Sequence, residues 1–226
     1  MLRADLLASQ QRQWDLMREL FFAYAARRPV RKIAVVANKP VEPDAARAAE
    51  IDSSDLVFRM NSLQLDEPDQ PPCLGTVCHV VFLSRAARIT PWVFRNYSDR
   101  AYIVMQTGFT VFRTLRDLPA HWPADLGALP LPNQAVTARI ADRLDPGRGP
   151  KTVLPTTGTV ALFLAHEMYP DAELVATGFS FLTNRAQEEW AHHSGGTTRV
   201  NVRHKLDLEG ALLESWVADG SVRFFQ

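Results

Sequence analysis

A chain of 226 residues with 46% hydrophobic and 22% charged residues is composed like a globular protein and is long enough to close a single core. Its 25 Lys and Arg balance its 25 Asp and Glu, which argues against a general nucleic-acid binder, since such proteins rely on a basic excess. No window approaches the ~20 apolar residues of a membrane span, and two cysteines are too few for a disulfide framework.

Cys73 and Cys78 have no second Cys or His pair at zinc-site spacing, so they read as reduced thiols. The start, Met1 to Asp5, lacks the apolar stretch and small-residue cleavage site of a secretory leader. The expected location is therefore the cytoplasm.

In chain order, residues 5–26 predict a helix. Leu6, Leu7, Trp14, Met17, Leu20, Phe21 and Tyr24 recur at helical spacing, and Pro29 ends the run. Two roles stay open for this helix. Its apolar face packs on the rest of the domain, or residues 5–32 make a peripheral contact with a membrane surface or a partner through that face and the cluster Arg27, Arg28, Arg31 and Lys32. The chain accordingly divides into an N-terminal amphipathic helix over 1–30 and a domain over 31–226.

Lys32 to Ala37 is a continuous apolar run of the kind buried on both faces of a parallel sheet. Asp44 to Glu50 predicts a short helix. Leu56 to Met60, His79 to Leu83 and Ala101 to Met105 predict three further strands. Helices are expected near 90–97 and 132–144, and loops over 117–131 and 145–155, where Pro, Gly and Asp gather. Val160 to Met168 is apolar on nearly all sides and predicts a buried helix. Glu173 to Thr177 is a strand, Lys205 to Val217 a helix and Ser221 to Phe225 a last strand. Strands alternating with helices predict an α/β fold with a mostly parallel sheet.

Several residues in this frame could carry chemistry. Asn38 follows a buried strand, where ligands gather in open α/β sheets, and Asn61 ends the next strand. Either residue is equally at home as a turn former. Thr156-Thr157-Gly158 opens a helix whose N–H groups, hydroxyls and dipole would cradle an anion, although a Thr at that position also serves as an ordinary N-cap. His192 and His193 are adjacent, so their side chains diverge and at most one serves a site; a surface loop is the alternative. His204 precedes a helix, where the N-terminal dipole favours the neutral imidazole that a base requires, while Asp207 opposes this. No Gly-x-Gly-x-x-Gly, no Gly-Lys-Ser/Thr and no Gly-x-Ser-x-Gly occurs, which disfavours dinucleotide, P-loop and Ser-hydrolase sites. No Asp-x-Asp follows a strand, and Asp66-Glu67-Pro68-Asp69 reads as a solvated turn, so no metal site is expected.

These motifs, in this order, resemble the sialyltransferase family that includes the animal Golgi enzymes. Ala34 to Asn38 followed by Glu50 to Asn61 resembles the family's large motif, with Leu74-Gly75-Thr76-Val77 as its tail. Pro155 to Ala165, ending in Ala176-Thr177-Gly178-Phe179, is similar to the small motif. Trp190-Ala191-His192-His193 resembles the third motif. His204 to Glu209 fits the very small motif, His then four residues then Glu. The resemblance spans about residues 33–213.

The resemblance implies a single-domain, Rossmann-like α/β fold of the metal-independent glycosyltransferase type, a GT-A variant, with residues 31–226 as the catalytic domain. It implies an inverting transfer from a cytidine-monophosphate (CMP) sugar to a hydroxyl of a glycan or glycolipid, without a metal or other cofactor. Carried over by position, His204 falls on the catalytic base. His193, or His192 one residue earlier, falls on the histidine that stabilises the departing phosphate. Asn38 and Asn61 fall on nucleotide contacts, Thr156, Thr157 and Gly158 on the loop holding ribose and phosphate, and Gly178 and Phe179 on the cytidine pocket.

The sequence departs from the family at Lys39-Pro40-Val41-Glu42-Pro43, where a Gly-rich loop is usual. It has no Cys within 155–179 to form the bridge of the animal enzymes, and no N-terminal anchor helix is evident. These departures suit a compact, bacterial-type member in the cytoplasm or at the inner membrane, and they leave the sugar open between sialic acid and a related 3-deoxy keto sugar such as Kdo. A non-catalytic CMP-sugar-binding protein and a CMP-sugar hydrolase are the alternatives.

Overall fold

The computed structural model describes residues 2–84, 88–105, 121–131, 133–146 and 153–225. The predicted loop residues 117–120 and 147–152 lie outside the described residues.

Seven strands form one sheet: β1 (Lys32–Val36), β2 (Leu56–Met60), β3 (Val80–Leu83), β4 (Ala101–Val104), β5 (Leu129–Pro130), β6 (Glu173–Thr177) and β9 (Val222–Phe225). Their spatial order is β5-β4-β3-β2-β1-β6-β9, and every neighbouring pair is parallel. The other two strands, β7 (Glu189–Ala191) and β8 (Thr197–Arg199), pair as a separate antiparallel hairpin. The helices are α1 (Leu2–Ala23), α2 (Ala45–Asp52), α3 (Ala138–Leu144), α4 (Thr157–Met168) and α5 (Leu206–Ala218).

The apolar runs in the strands supply two cores by alternation, since successive side chains leave a strand on opposite faces. Ile33, Val35, Leu56, Phe58, Val80, Phe82 and Ile103 enter the main core with α1, α4 and α5. Ala34, Val36 and Val57 face the other way, onto Ile51 of α2, and Val81, Leu83 and Tyr102 onto Leu63, Leu65 and Val93. Burial on both faces explains why these strands read as unbroken apolar stretches.

α1 belongs to the main core. Trp14, Met17 and Phe21 are buried at i, i+3 and i+7, with the Phe21 ring 5.0 Å from Phe58 and 6.1 Å from Phe82. This is the packing role of the two left open for the helix. α2 starts where Asp44 accepts hydrogen bonds from the N–H groups of Ala46 and Arg47 at 2.9 and 3.1 Å.

Three sequence expectations are corrected. Residues 90–97 are turns followed by a short 3-10 helix at Tyr97–Asp99. The carbonyls a helix would use there accept from side chains instead: Trp92 from Arg100 at 2.7 Å, and Val93 from the Tyr102 hydroxyl at 2.7 Å. The predicted 117–131 loop contains the edge strand β5, which pairs with β4. Asp66 is no idle turn residue. Its carboxylate accepts from the N–H groups of Cys73, Leu74 and Gly75 at 2.7, 3.0 and 2.7 Å.

The inner loop 63–78 is organised from the sheet by Arg59, which is 1% exposed. Its guanidinium donates to the carbonyls of Val77 at 2.8 Å, Gln64 at 3.3 Å and Leu74 at 2.6 Å. Cys73 and Cys78 are free and buried.

Candidate functional site

The chain runs outward from β1 to β5 on one side of the sheet, then crosses to β6 on the other side of β1. That reversal opens a crevice at the carboxyl ends of β1 and β6, the place where open α/β sheets bind ligands. A cavity of about 390 Å³ lies there.

The carboxyl ends of the strands are tied together by backbone bonds. Lys39 N–H donates to the Gly178 carbonyl at 2.9 Å and Ala37 N–H to the Thr177 carbonyl at 2.9 Å. The Asn38 side-chain amide donates to the Asn61 carbonyl, and Asn61 Oδ1 accepts from Ser84 N–H at 3.2 Å. Gly178 has φ +79°, and a Cβ there would lie 2.5 Å from the Ala37 carbonyl oxygen, so only glycine lets β6 turn this close to β1. Gly158 serves a similar end: a Cβ would meet the Phe179 ring at 2.9 Å.

Asn38, Asn61, Thr156, Thr157, Gly158, Gly178, Phe179, His192 and His204 all line this one cavity. His193 does not. Its N–H donates to the Asn38 carbonyl at 2.7 Å and its Nδ1 accepts from Val41 N–H at 3.4 Å, so it holds the loop after β1 from behind. The cause is the β7–β8 hairpin, which turns through Gly195 and Gly196 at φ +85° and +82°. It sends His192 to the face that carries Trp190 and Thr198, and His193 the other way. His192 Nε2 is 2.8 Å from Thr198 Oγ1, and burial, then the Arg88 charge, push the ring's pKa below the ordinary histidine value.

His204 is held at the opposite lip of the hairpin, its ring centroid 6.3 Å from that of Trp190. Its Nδ1 lies 2.5 Å from the Leu154 carbonyl. A carbonyl only accepts, so Nδ1 carries the proton and Nε2 has a free lone pair. Burial lowers the His204 pKa, the Leu154 bond opposes this, and Arg203 lowers it further. The shift favours the neutral ring.

The start of α4 is less open than its motif suggested. Thr156 caps it, accepting from Thr159 N–H at 3.2 Å. Thr156 N–H and Oγ1 both donate to Glu209 Oε2, at 3.0 and 2.7 Å, and Thr159 Oγ1 donates to the same oxygen at 2.5 Å. Of the two motif hydroxyls at 156 and 157, that of Thr156 is engaged within the protein. Glu209 is buried. Burial raises its pKa to about 7 against the Thr159 and Thr156 hydrogen bonds, with Asp207 adding to the rise. Its Oε1 has no hydrogen-bond partner among the described residues.

Sequence reasoning missed three cationic residues of the lining: Lys39, Arg88 and Arg199. No Asp or Glu lines the cavity among the described residues. Arg88 lies outside every motif and had no local signal. Arg199 had one, since Gly195-Gly196 flanked by Trp190, His192, Thr198 and Val200 in alternation is a hairpin pattern. Among the described residues no group of three or more His, Cys, Asp and Glu is placed to hold a metal ion.

No protein-family model matches this sequence, and no curated protein matches it. Solved structures do. A mammalian sialyltransferase superposes with a TM-score of 0.58 at 20% identity, over 93% of this chain and 78% of that one. A mammalian sialyltransferase in complex with Gal-beta-1-3GalNAc-ortho-nitrophenol superposes with a TM-score of 0.60 at the same identity and coverage. The chain has the fold of these enzymes.

Proposed function

We propose that the protein is an inverting glycosyltransferase that moves sialic acid, or a related keto sugar such as Kdo, from its CMP-activated form to a hydroxyl of a glycan or glycolipid. The observation that carries the reading is His204. Its pKa is lowered by burial, its Nδ1 is engaged by Leu154, and the ring lines the cation-lined cavity. The motif resemblance and the shared fold support it, and the complex of a structural neighbour with Gal-beta-1-3GalNAc-ortho-nitrophenol is consistent with a glycan acceptor.

In this reading His204 Nε2 takes the proton of the acceptor hydroxyl as its oxygen bonds to the anomeric carbon. The anomeric carbon–phosphate oxygen bond breaks on the opposite face, and the electron pair leaves with CMP. His192 takes the role at the phosphate that the motif order gave to His193, because it is the histidine on the cavity. Asn38, Asn61, Thr157 and Gly158 surround the nucleotide, with Gly178 and Phe179 at the base. The cationic lining of the cavity favours an anionic donor, so no metal ion is assigned a part.

Two measurements test this. Calorimetric titration should give selective binding of CMP over UDP and GDP, unchanged by EDTA. His204→Ala should reduce transfer by about 10²–10⁴-fold, the range for loss of a general base, while CMP binding stays near wild type. Absence of CMP binding would refute the donor assignment; full activity in the variant would refute the base.

A further inference from the structure

We propose that Arg88 is a donor-binding residue whose guanidinium pairs with an anionic oxygen of the donor, either the leaving phosphate or the carboxylate of the sugar. The inference rests on the CMP-sugar reading above.

Arg88 lies five positions beyond the end of β3 and lines the cavity together with Asn61, Ser62 and His192. It is anchored at both ends. Its carbonyl accepts from Ser62 Oγ at 2.8 Å, and its Nη1 donates to the Gly195 carbonyl at 2.8 Å. Ser194 Oγ closes the ring by donating to the Ser62 carbonyl at 2.9 Å. The hairpin turn makes room for the guanidinium: a Cβ on Gly196 would lie 3.0 Å from Nη1. One Nη1 hydrogen is thus used on the scaffold, while the fork keeps further donors for a ligand.

Among the described residues no carboxylate lines this cavity, so none of them neutralises the charge of Arg88 there. His192 beside it is pushed toward neutrality by burial and by Arg88 itself. It can exchange a hydrogen bond with a ligand but brings little charge at pH 7. A guanidinium is charged at every working pH. The two side chains therefore divide the work: Arg88 carries the charge and His192 the directional hydrogen bond. Of the other cations, Lys39 Nζ is 3.3 Å from Thr183 Oγ1, and Arg199 sits on β8 opposite Glu189. Neither is tied to the Asn61–Ser62 corner where the strand ends converge.

The test is calorimetric titration of wild type, Arg88→Gln and Arg88→Lys with cytidine, CMP and CMP-sialic acid. Arg88→Gln is expected to leave cytidine affinity unchanged and to weaken the anionic ligands by about tenfold or more, as loss of a charge-assisted hydrogen bond does. A loss already present with CMP assigns the phosphate; a loss confined to CMP-sialic acid assigns the carboxylate. Arg88→Lys should recover part of the loss. An equal loss for cytidine, CMP and CMP-sialic acid would make Arg88 a brace for the hairpin and overturn the proposal, as would no loss at all. If wild type binds no CMP, the CMP-sugar reading fails and this inference falls with it. Failure of Arg88 alone leaves wild-type CMP binding intact.

Discussion

Glu209 stands five residues after His204, and its buried carboxyl group holds the first turn of α4 from within the protein. It therefore couples the start of α5, which follows the proposed base, to the first turn of α4, which carries Thr157 and Gly158. Its pKa gives a prediction with a definite sign. The folded value, about 7, lies above the ordinary 4.5. The stabilisation from this proton is complete below pH 4.5 and is lost as pH rises through about 7. Wild type should thus lose on the order of 3 kcal/mol relative to Glu209→Gln between those limits. Thermal melting of both proteins across that range checks it; parallel curves would refute the raised pKa. The Glu itself was visible in the very small motif. Its partners were not, because Thr156 and Thr159 lie some fifty residues earlier and meet it only when α4 and α5 pack.

Among the elements, α1 has the most to reveal by mutation. Its buried face inserts Phe21 against Phe58 and Phe82 at the centre of the sheet. Phe21→Ala should cost about 3–5 kcal/mol, the range for a large buried aromatic, measured by denaturant unfolding. A loss below about 1 kcal/mol would mean that the helix is an appendage rather than part of the core. The central strands and buried helices were legible because burial on both faces leaves continuous apolar runs. The β7–β8 hairpin left a weaker trace, because its short strands are exposed and polar and only the Gly195-Gly196 turn and the alternation around it mark it. That one element decides which of two adjacent histidines faces the cavity. The helix expected at 90–97 failed for a related reason: Arg100 and Tyr102 take its carbonyls, and no local propensity foresees partners just before and on the next strand.

For the molecule as a whole, the site exists only because the chain reverses direction at β1. The cavity gathers residues that follow β1, β2, β3 and β6, the start of α4, the hairpin and the approach to α5. A ligand there would bridge both halves of the sheet and favour the folded state by mass action. CMP at a hundred times its dissociation constant should add about 2.7 kcal/mol of stability. For a protein of this size that corresponds to a rise in Tm of about 5–10 °C. A thermal shift with CMP but not with UDP or GDP checks this, and an unchanged Tm at saturating CMP would contradict it.

By itself the sequence determined the α/β class, six of the seven strands of the sheet and the order of the site motifs. These follow from local periodicity and short motif spacing, which act over a few residues. Tertiary structure alone decided the fully parallel strand order, the choice of His192 over His193 at the cavity and the free nitrogen of His204. It also decided the anchoring of Arg88 and the engagement of Thr156 by Glu209. Each of these depends on groups distant in the chain meeting in space, where a carbonyl, a charge or a packed ring fixes what the residue can do.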